Sequence, residues 1–369
     1  LRVAIIHYWL VGMRGGEKVL ETLCRMYPSA DIYTHAYDPT VISEVIKSHK
    51  IVTTFINRLP YSTKLYKKYL PLMPMALEQL DLSEYDLVIS SESGPAKGVL
   101  PMPGAVHVCY CHSPMRYIWN MYNKYYESSG LVTRMLMPPL AHYLRNWDVA
   151  TSNRVDHFSA NSATVAQRIK TYYRRDAQVI HPPVDTNAFK AAAMHDVGDY
   201  YLMVGELVSY KRPDLAVIAC NLLKAKLVVI GGGEMLERIR KLAGPTVTIL
   251  GPQPFDVLRH HYAHCRALIF PGEEDFGIVP VEAMASGRPV IAYGRGGATE
   301  TVIADESGVF FDVQTTEALI DAIERLEKID FNPAAAVRRA GDFTTNAFVE
   351  RFGAFVDEAI SPARAMRTA

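Results

Sequence analysis

Phe270-Pro271-Gly272-Glu273-Glu274-Asp275-Phe276-Gly277-Ile278-Val279-Pro280-Val281-Glu282-Ala283-Met284-Ala285-Ser286-Gly287 is the stretch that decides the fold of this chain. An apolar run at 267–270 leads into it, and helical spacing of apolar residues begins near Val279. The pattern reads strand, loop, helix. It places Glu274 in a loop at the carboxyl end of a strand and Glu282 in the first turn of the next helix. In open α/β sheets, ligands bind at that edge. Gly277 lets backbone approach a ligand closely, and the helix start offers unbonded N–H groups to an anion. An ordinary surface loop could also carry two glutamates. The Phe276-Gly277 between them and the Gly287-Arg288-Pro289 behind the helix favour a site.

Outward from this segment, short apolar runs alternate with amphipathic runs of helical length. Strands are expected at 2–6, 31–34, 87–90, 105–110 and 157–160, then at 200–204, 226–230, 246–250, 267–270, 290–292 and 308–311. Helices are expected at 16–26, 163–172, 213–223, 235–241, 255–263 and 316–328. Such alternation predicts parallel sheets with helices on both faces. The 369 residues exceed one ordinary core and suit two. Turn chemistry at His181-Pro182-Pro183-Val184-Asp185 breaks the pattern, so the expected domains are 1–183 and 184–342, with a last helix from 343 onward.

Lys and Arg (39) balance Asp and Glu (39), which leaves no global attraction to nucleic acid. No run reaches the roughly 18 apolar residues of a membrane span. The first strand runs straight into a charged loop, so no signal peptide is expected, although the chain does not begin with Met. Cys24, Cys109, Cys111, Cys220 and Cys265 are odd in number and scattered, which suits buried thiols in a reducing cytoplasm. Cys109-Tyr110-Cys111-His112 lacks the spacing and second ligand pair of a common zinc site.

Several further loops follow expected strands. Gly12-Met13-Arg14-Gly15-Gly16-Glu17-Lys18-Val19 is not a dinucleotide fingerprint, but its paired glycines open a helix. His112 stands at a strand end before Ser113-Pro114, which aims it at a ligand edge; Arg116 follows, able to meet a phosphate or an acceptor or merely to cap a helix. Val204-Gly205-Glu206-Leu207-Val208-Ser209-Tyr210-Lys211-Arg212-Pro213 supplies two adjacent cations. Gly231-Gly232-Gly233 and Gly251 are glycine turns after strands, and Gly294-Arg295-Gly296-Gly297 is another, read as shaping the site from behind.

The Glu274–Glu282 segment with its Phe-Gly and Glu-Ala-Met-Ala-Ser-Gly resembles the donor site of the retaining glycosyltransferases of family 4, which have the GT-B fold. The resemblance covers essentially the whole chain and is strongest over 204–287. It implies two Rossmann-like domains facing across a cleft, with the last helix crossing back to the first domain. It implies a nucleotide-sugar donor on the second domain and an acceptor on the first, with closure excluding water. By this resemblance Glu282 grips the ribose, Lys211 balances the leaving diphosphate, Glu274 meets sugar hydroxyls, and His112 contacts the donor sugar. Gly15, Gly16, Arg212, Gly232, Phe276, Gly277, Ile278 and Val279 would surround the donor, and Arg116 the acceptor. The chain departs from the family pattern where Glu206 replaces an Arg and Arg212 a Gly. Either Glu206 turns away from the phosphates or Arg212 supplies the second charge.

No Asp-x-Asp stands at a strand end, so transfer without a metal or other cofactor is expected. His7-Tyr8-Trp9-Leu10, Gly15-Gly16-Glu17-Lys18-Val19 and Ser91-Glu92-Ser93-Gly94-Pro95-Ala96-Lys97-Gly98 resemble bacterial polysaccharide and O-antigen transferases, several of which use GDP-mannose. The expected reaction is therefore transfer of a hexose, with mannose from GDP-mannose as the leading donor, to a lipid-linked or oligosaccharide acceptor. A UDP-sugar transferase, an epimerase or phosphorylase of this fold, and a non-catalytic nucleotide-sugar binder are the alternatives. Residues 45–77 hold Lys47, Lys50, Arg58, Lys64, Lys67 and Lys68 among aromatics and leucines, with no acid. That composition suits contact with an anionic membrane surface, at the inner face of the cytoplasmic membrane.

Overall fold

The computed structural model describes the backbone of residues 1–368, and the side chains of all but 128 and 362–369. The chain divides into two compact units, Leu1–His181 with Val349–Ala369, and Pro182–Phe348. The expected last helix is present as Thr345–Thr368, and its final side chains, 362–369, lie outside the described ones.

Unit 1 is built on seven strands: β1 (Val3–His7), β2 (Asp31–Thr34), β3 (Ile51–Thr53), β4 (Leu87–Glu92), β5 (Val106–Cys111), β6 (His157–Ala160) and β7 (Ala177–Val179). They pair in parallel, in the order β3-β2-β1-β4-β5-β6-β7. Every residue of β1, β4 and β5 is buried. Parallel strands covered on both faces need such continuous apolar runs. Short outer strands β3 and β7, absent from the sequence reading, have half-buried or exposed residues throughout. Also unanticipated is the helix Leu131–Ser152, which runs through Pro138 and Pro139.

Unit 2 has six strands: β8 (Tyr201–Val204), β9 (Leu227–Ile230), β10 (Val247–Gly251), β11 (Ala267–Phe270), β12 (Val290–Tyr293) and β13 (Gly308–Phe311), in the order β10-β9-β8-β11-β12-β13. Alternate residues of β11 enter opposite cores. Ala267 and Ile269 pack with Leu215 and Leu319, while Leu268 and Phe270 pack with Val281 and Met284.

In each sheet the chain reverses its direction of winding beside the first strand. β1 lies between β2 and β4, and β8 between β9 and β11. Loops leaving the carboxyl ends of the two central strands there part to opposite sides and open a crevice. The loops after β1 and β4 do this in unit 1, and those after β8 and β11 in unit 2.

Candidate active site

In unit 2 the loop after β8 and the loop after β11 meet at one ion pair. Lys211 Nζ lies 2.8 Å from Glu274 Oε1, and both side chains are about four-fifths buried (17% and 20% exposed). Burial pulls the Lys211 pKa down, but the charge of Glu274, followed by Tyr210 and Glu206, outweighs it, so the net shift is upward. The ammonium therefore stays charged throughout the neutral range. Gly272 makes the approach possible, because a Cβ there would fall 2.6 Å from Lys211 Cα. Glu206 is exposed, yet its field reaches Lys211. Arg212 has a partner of its own: its Nε lies 3.1 Å from Asp214 Oδ1, and Nη1 donates to Gln314 O at 3.3 Å. Gln314 in turn donates to Pro271 O at 2.8 Å, so Arg212 ties the two site loops together.

Gly277 has φ +84° and caps the helix Ile278–Ala285. Glu282 is the fifth residue of that helix and so lies in its second turn, one turn beyond the expected place. Helix formation begins one residue early because Gly277 adopts the left-handed turn that starts it. The buried Tyr262 hydroxyl donates to Glu282 Oε2 at 2.7 Å and fixes the carboxylate's direction. Pro280 has no N–H, so the helix start offers those of Ile278 and Val279 to an anion. Phe276 does not project toward a ligand. Its side chain is 3% exposed and packs on Phe343 with ring centroids 5.5 Å apart, so only its backbone can meet a donor.

Two further loops of unit 2 brace these groups. Gly297 N donates to Glu274 O at 2.8 Å, and a Cβ at Gly297 would fall 2.2 Å from Phe276 Cα. The Gly294–Gly297 turn thus braces the Glu274 loop. Gly232 O accepts from Leu207 N at 2.8 Å, which brings the glycine turn after β9 against the β8 loop.

In unit 1, His112 follows β5 immediately, and its Nε2 lies 2.9 Å from Ser91 Oγ at the end of β4. Ser91 Oγ is also 3.1 Å from Nδ1 of the fully buried His7. Burial, reinforced by His7, lowers the His112 pKa to about 3, so the ring is neutral at any physiological pH. Gly15 and Gly16 open the helix Gly15–Met26. Glycine at 16 leaves room for the Tyr8 hydroxyl, which a Cβ there would meet at 2.1 Å. Glu17, 2% exposed, accepts the Arg14 N–H at 2.9 Å and closes the helix start. Arg116 is half-buried in the loop beyond His112 and Pro114, and its carbonyl accepts from Met121 N. The sequence reading quotes His7 and Ser91 only as the first residues of two motifs, without a role, and does not single out Tyr262 or Gln314. Their types are common, and only the folded sheet brings them beside the chosen residues.

Among the described residues, no group of three or more His, Cys, Asp and Glu side chains is arranged to hold a metal ion. All five cysteines are buried and unpaired with one another.

Two parallel sheets, each with a crevice where its winding reverses, are the architecture of the GT-B fold. The model of the "Glycosyltransferase Family 4" group matches residues 13–188, and that of the "Glycosyl transferases group 1" matches residues 185–342. The chain belongs to the family 4 glycosyltransferases of GT-B fold. It is 33% identical over 192 residues to a GDP-mannose-dependent α-(1-6)-phosphatidylinositol monomannoside mannosyltransferase of Mycobacterium tuberculosis, covering 44% of this chain and 50% of the relative. It is 28% identical over 242 residues to a D-inositol 3-phosphate glycosyltransferase of Mycobacteroides abscessus, covering 58% and 55%. The chain thus spans about half the length of the curated relatives it matches. Sucrose-phosphate synthase from Thermosynechococcus elongatus superposes on 98% of the chain and 100% of its own, with TM-score 0.74 at 17% identity. Anabaena HepE in complex with UDP-glucose covers 97% and 100%, with TM-score 0.70 at 17% identity.

Proposed function

We propose that the chain is a retaining hexosyltransferase that moves mannose from GDP-mannose to a hydroxyl of a lipid-linked or oligosaccharide acceptor in cell-surface polysaccharide or lipopolysaccharide synthesis. The observation that carries this reading is the Lys211–Glu274 pair at the unit 2 crevice, beside the N-terminus of the helix that bears Glu282. It sets a phosphate-binding cation next to a carboxylate able to accept sugar hydroxyls. The named activity of the mycobacterial mannosyltransferase supports the choice of donor.

In this reaction the acceptor oxygen bonds to the anomeric carbon on the face from which the diphosphate leaves. The bond from that carbon to the phosphate oxygen breaks, and the departing oxygen takes the acceptor proton. Lys211 and the N–H groups of Ile278 and Val279 balance the growing negative charge without a metal. Glu282, oriented by Tyr262, holds the ribose.

Membrane contact through 45–77 belongs to the same reading. Within 45–77, Ile56, Tyr66 and Met73 turn inward, so much of that stretch's apolar surface is core. Tyr61, Leu72 and Met75 of that stretch remain exposed, and more exposed apolar surface stands at the start of the long helix, where Leu131, Val132, Met135 and Leu136 are 81%, 72%, 75% and 62% exposed, with Arg134 among them. Leu70 of the basic stretch packs with Leu140 and Ala141 of that helix, which joins the two features on one unit. An apolar helix start and exposed Lys64, Lys67 and Lys68 on the same unit suit an anionic lipid surface. No helix among the described residues is long and apolar enough to cross a membrane.

Thermal unfolding with GDP, UDP, ADP and dTDP and their sugar forms, with and without EDTA, tests the donor. A ligand at 100 times its Kd adds roughly 2.7 kcal/mol. GDP and GDP-mannose are expected to stabilise, regardless of EDTA. Stabilisation by UDP species alone would replace the donor, and no response to any nucleotide would sink the transferase reading. Glu274→Ala is expected to keep nucleotide binding and lose transfer, which excludes a non-catalytic binder.

A further inference from the structure

In unit 1, four polar side chains line up in a chain that the transfer chemistry above does not use in full. Glu17 Oε1 lies 3.9 Å from His7 Nε2, His7 Nδ1 lies 3.1 Å from Ser91 Oγ, and Ser91 Oγ lies 2.9 Å from His112 Nε2. His7 and Ser91 are fully buried and Glu17 is 2% exposed. Their sources are the end of β1, the end of β4 and the first turn of the helix Gly15–Met26. Among the described residues His7 Nε2 has no hydrogen-bond partner, so the carboxylate of Glu17 dominates its surroundings.

The proton positions follow from one end. A lone pair on His7 Nε2 would face a carboxylate, so that nitrogen carries the proton. His7 Nδ1 is then an acceptor, and the Ser91 hydroxyl donates its hydrogen bond to it. Ser91 has one proton to give, so toward His112 its oxygen can only accept. His112 must therefore donate from Nε2, and its Nδ1 is left with a lone pair.

We propose that Glu17, His7 and Ser91 are positioning residues that hold His112 in its Nε2–H form, so that its Nδ1 accepts a hydrogen bond from a hydroxyl of the bound sugar. The proposal rests on the reading of His112 as a sugar contact. A buried relay serves that task because the wrong tautomer would present an N–H to a hydroxyl proton and repel it. Neutrality alone, which burial already gives His112, leaves the choice between the two nitrogens open.

The test is the imidazole 15N spectrum of the full chain labelled at histidine, with His112→Asn used to assign the signal. The wild-type ring should show a pyrrole-type Nε2 and a pyridine-type Nδ1. In Glu17→Gln the amide can donate to His7 Nε2, which reverses the relay, so the His112 pattern should invert or become mixed. Ser91→Ala removes the bridge and should leave both tautomers populated. It should also weaken GDP-mannose relative to GDP by roughly 2- to 10-fold, the range for one hydrogen bond. A wild-type ring protonated at Nδ1 overturns the proposal, as does a His112 signal that stays unchanged in Ser91→Ala. Ser91→Ala removes a single oxygen and decides the matter even where Glu17→Gln fails to fold. If no nucleotide stabilises the protein while the tautomers behave as stated, the transferase reading fails and the relay stands.

Discussion

At the residue scale, buried titratable groups decide how the protein meets acid. Burial lowers the pKa of His35 to about 3, of His107 to about 4 and of His112 to about 3. Each is neutral in the fold and takes up a proton only when the chain unfolds below about pH 6.5, so stability falls as pH falls through that window. Glu92 has the opposite sign. Burial, opposed by Lys97, raises its carboxyl to about 7, so between roughly pH 4.5 and 7 the fold holds a proton that the unfolded chain releases. Together these groups predict uptake of about two protons on unfolding near pH 5.5. Glu92→Gln should raise that to about three, steepening the loss of stability by ~1.4 kcal/mol per pH unit. Urea unfolding of both proteins from pH 5 to 6.5 measures it; equal slopes would refute the Glu92 assignment. Lys211 behaves differently, since its raised pKa keeps the contribution of its pair intact until pH climbs past the ordinary lysine range. Lys211→Met should therefore cost about 1–3 kcal/mol equally at pH 6 and pH 8 and abolish stabilisation by GDP. A variant that still responds fully to GDP removes Lys211 from the diphosphate site.

At the element scale, the loops do what their glycines permit. Gly297→Ala would drive a Cβ to within 2.2 Å of Phe276 Cα and 2.4 Å of Phe276 O, and backbone cannot step aside. The substitution should cost roughly 2 kcal/mol or more and displace Glu274. Gly341→Ala, with open space at the Cβ position and φ −58°, should be neutral or stabilise by about 0.4–1 kcal/mol. Comparable midpoints for the two in urea would discount the bracing contact. The central strands were legible because burial on both faces demands unbroken apolar runs, as in 267–270. The outer strands were not. Ala177–Val179 is three residues long with an exposed Gln178, too short and too polar to carry a pattern. Pro138 and Pro139 disguised the long helix, since proline signals a break wherever tertiary packing does not compensate. The Glu274 loop was legible from its spacing, whereas the Ser91 bridge depends on β1, β4 and β5 being neighbours, which no local pattern records.

At the scale of the whole molecule, the last helix makes unit 1 discontinuous in sequence. Phe352 is fully buried with its ring 5.8 Å from that of Tyr110 on β5, and Phe355 lies 6.4 Å from His157 on β6. Val356, Ala359 and Ile360 are buried along the same helix. Residues 349 onward thus supply a share of the apolar cover that strands 1–181 need, although more than 160 residues separate them in the chain. A sheet with an uncovered face cannot keep strands that are apolar on both sides in water. Phe352→Ala should then destabilise unit 1 by about 3–5 kcal/mol, the usual cost of emptying a buried phenylalanine site. Because Lys211, Glu274 and Glu282 all belong to unit 2, GDP should still bind Phe352→Ala at temperatures below its lowered transition. Calorimetry with and without GDP separates the outcomes. A lowered transition with intact nucleotide stabilisation assigns the helix to unit 1 alone, whereas a transition within about 1 °C of wild type would mean that the helix is not needed to cover the sheet.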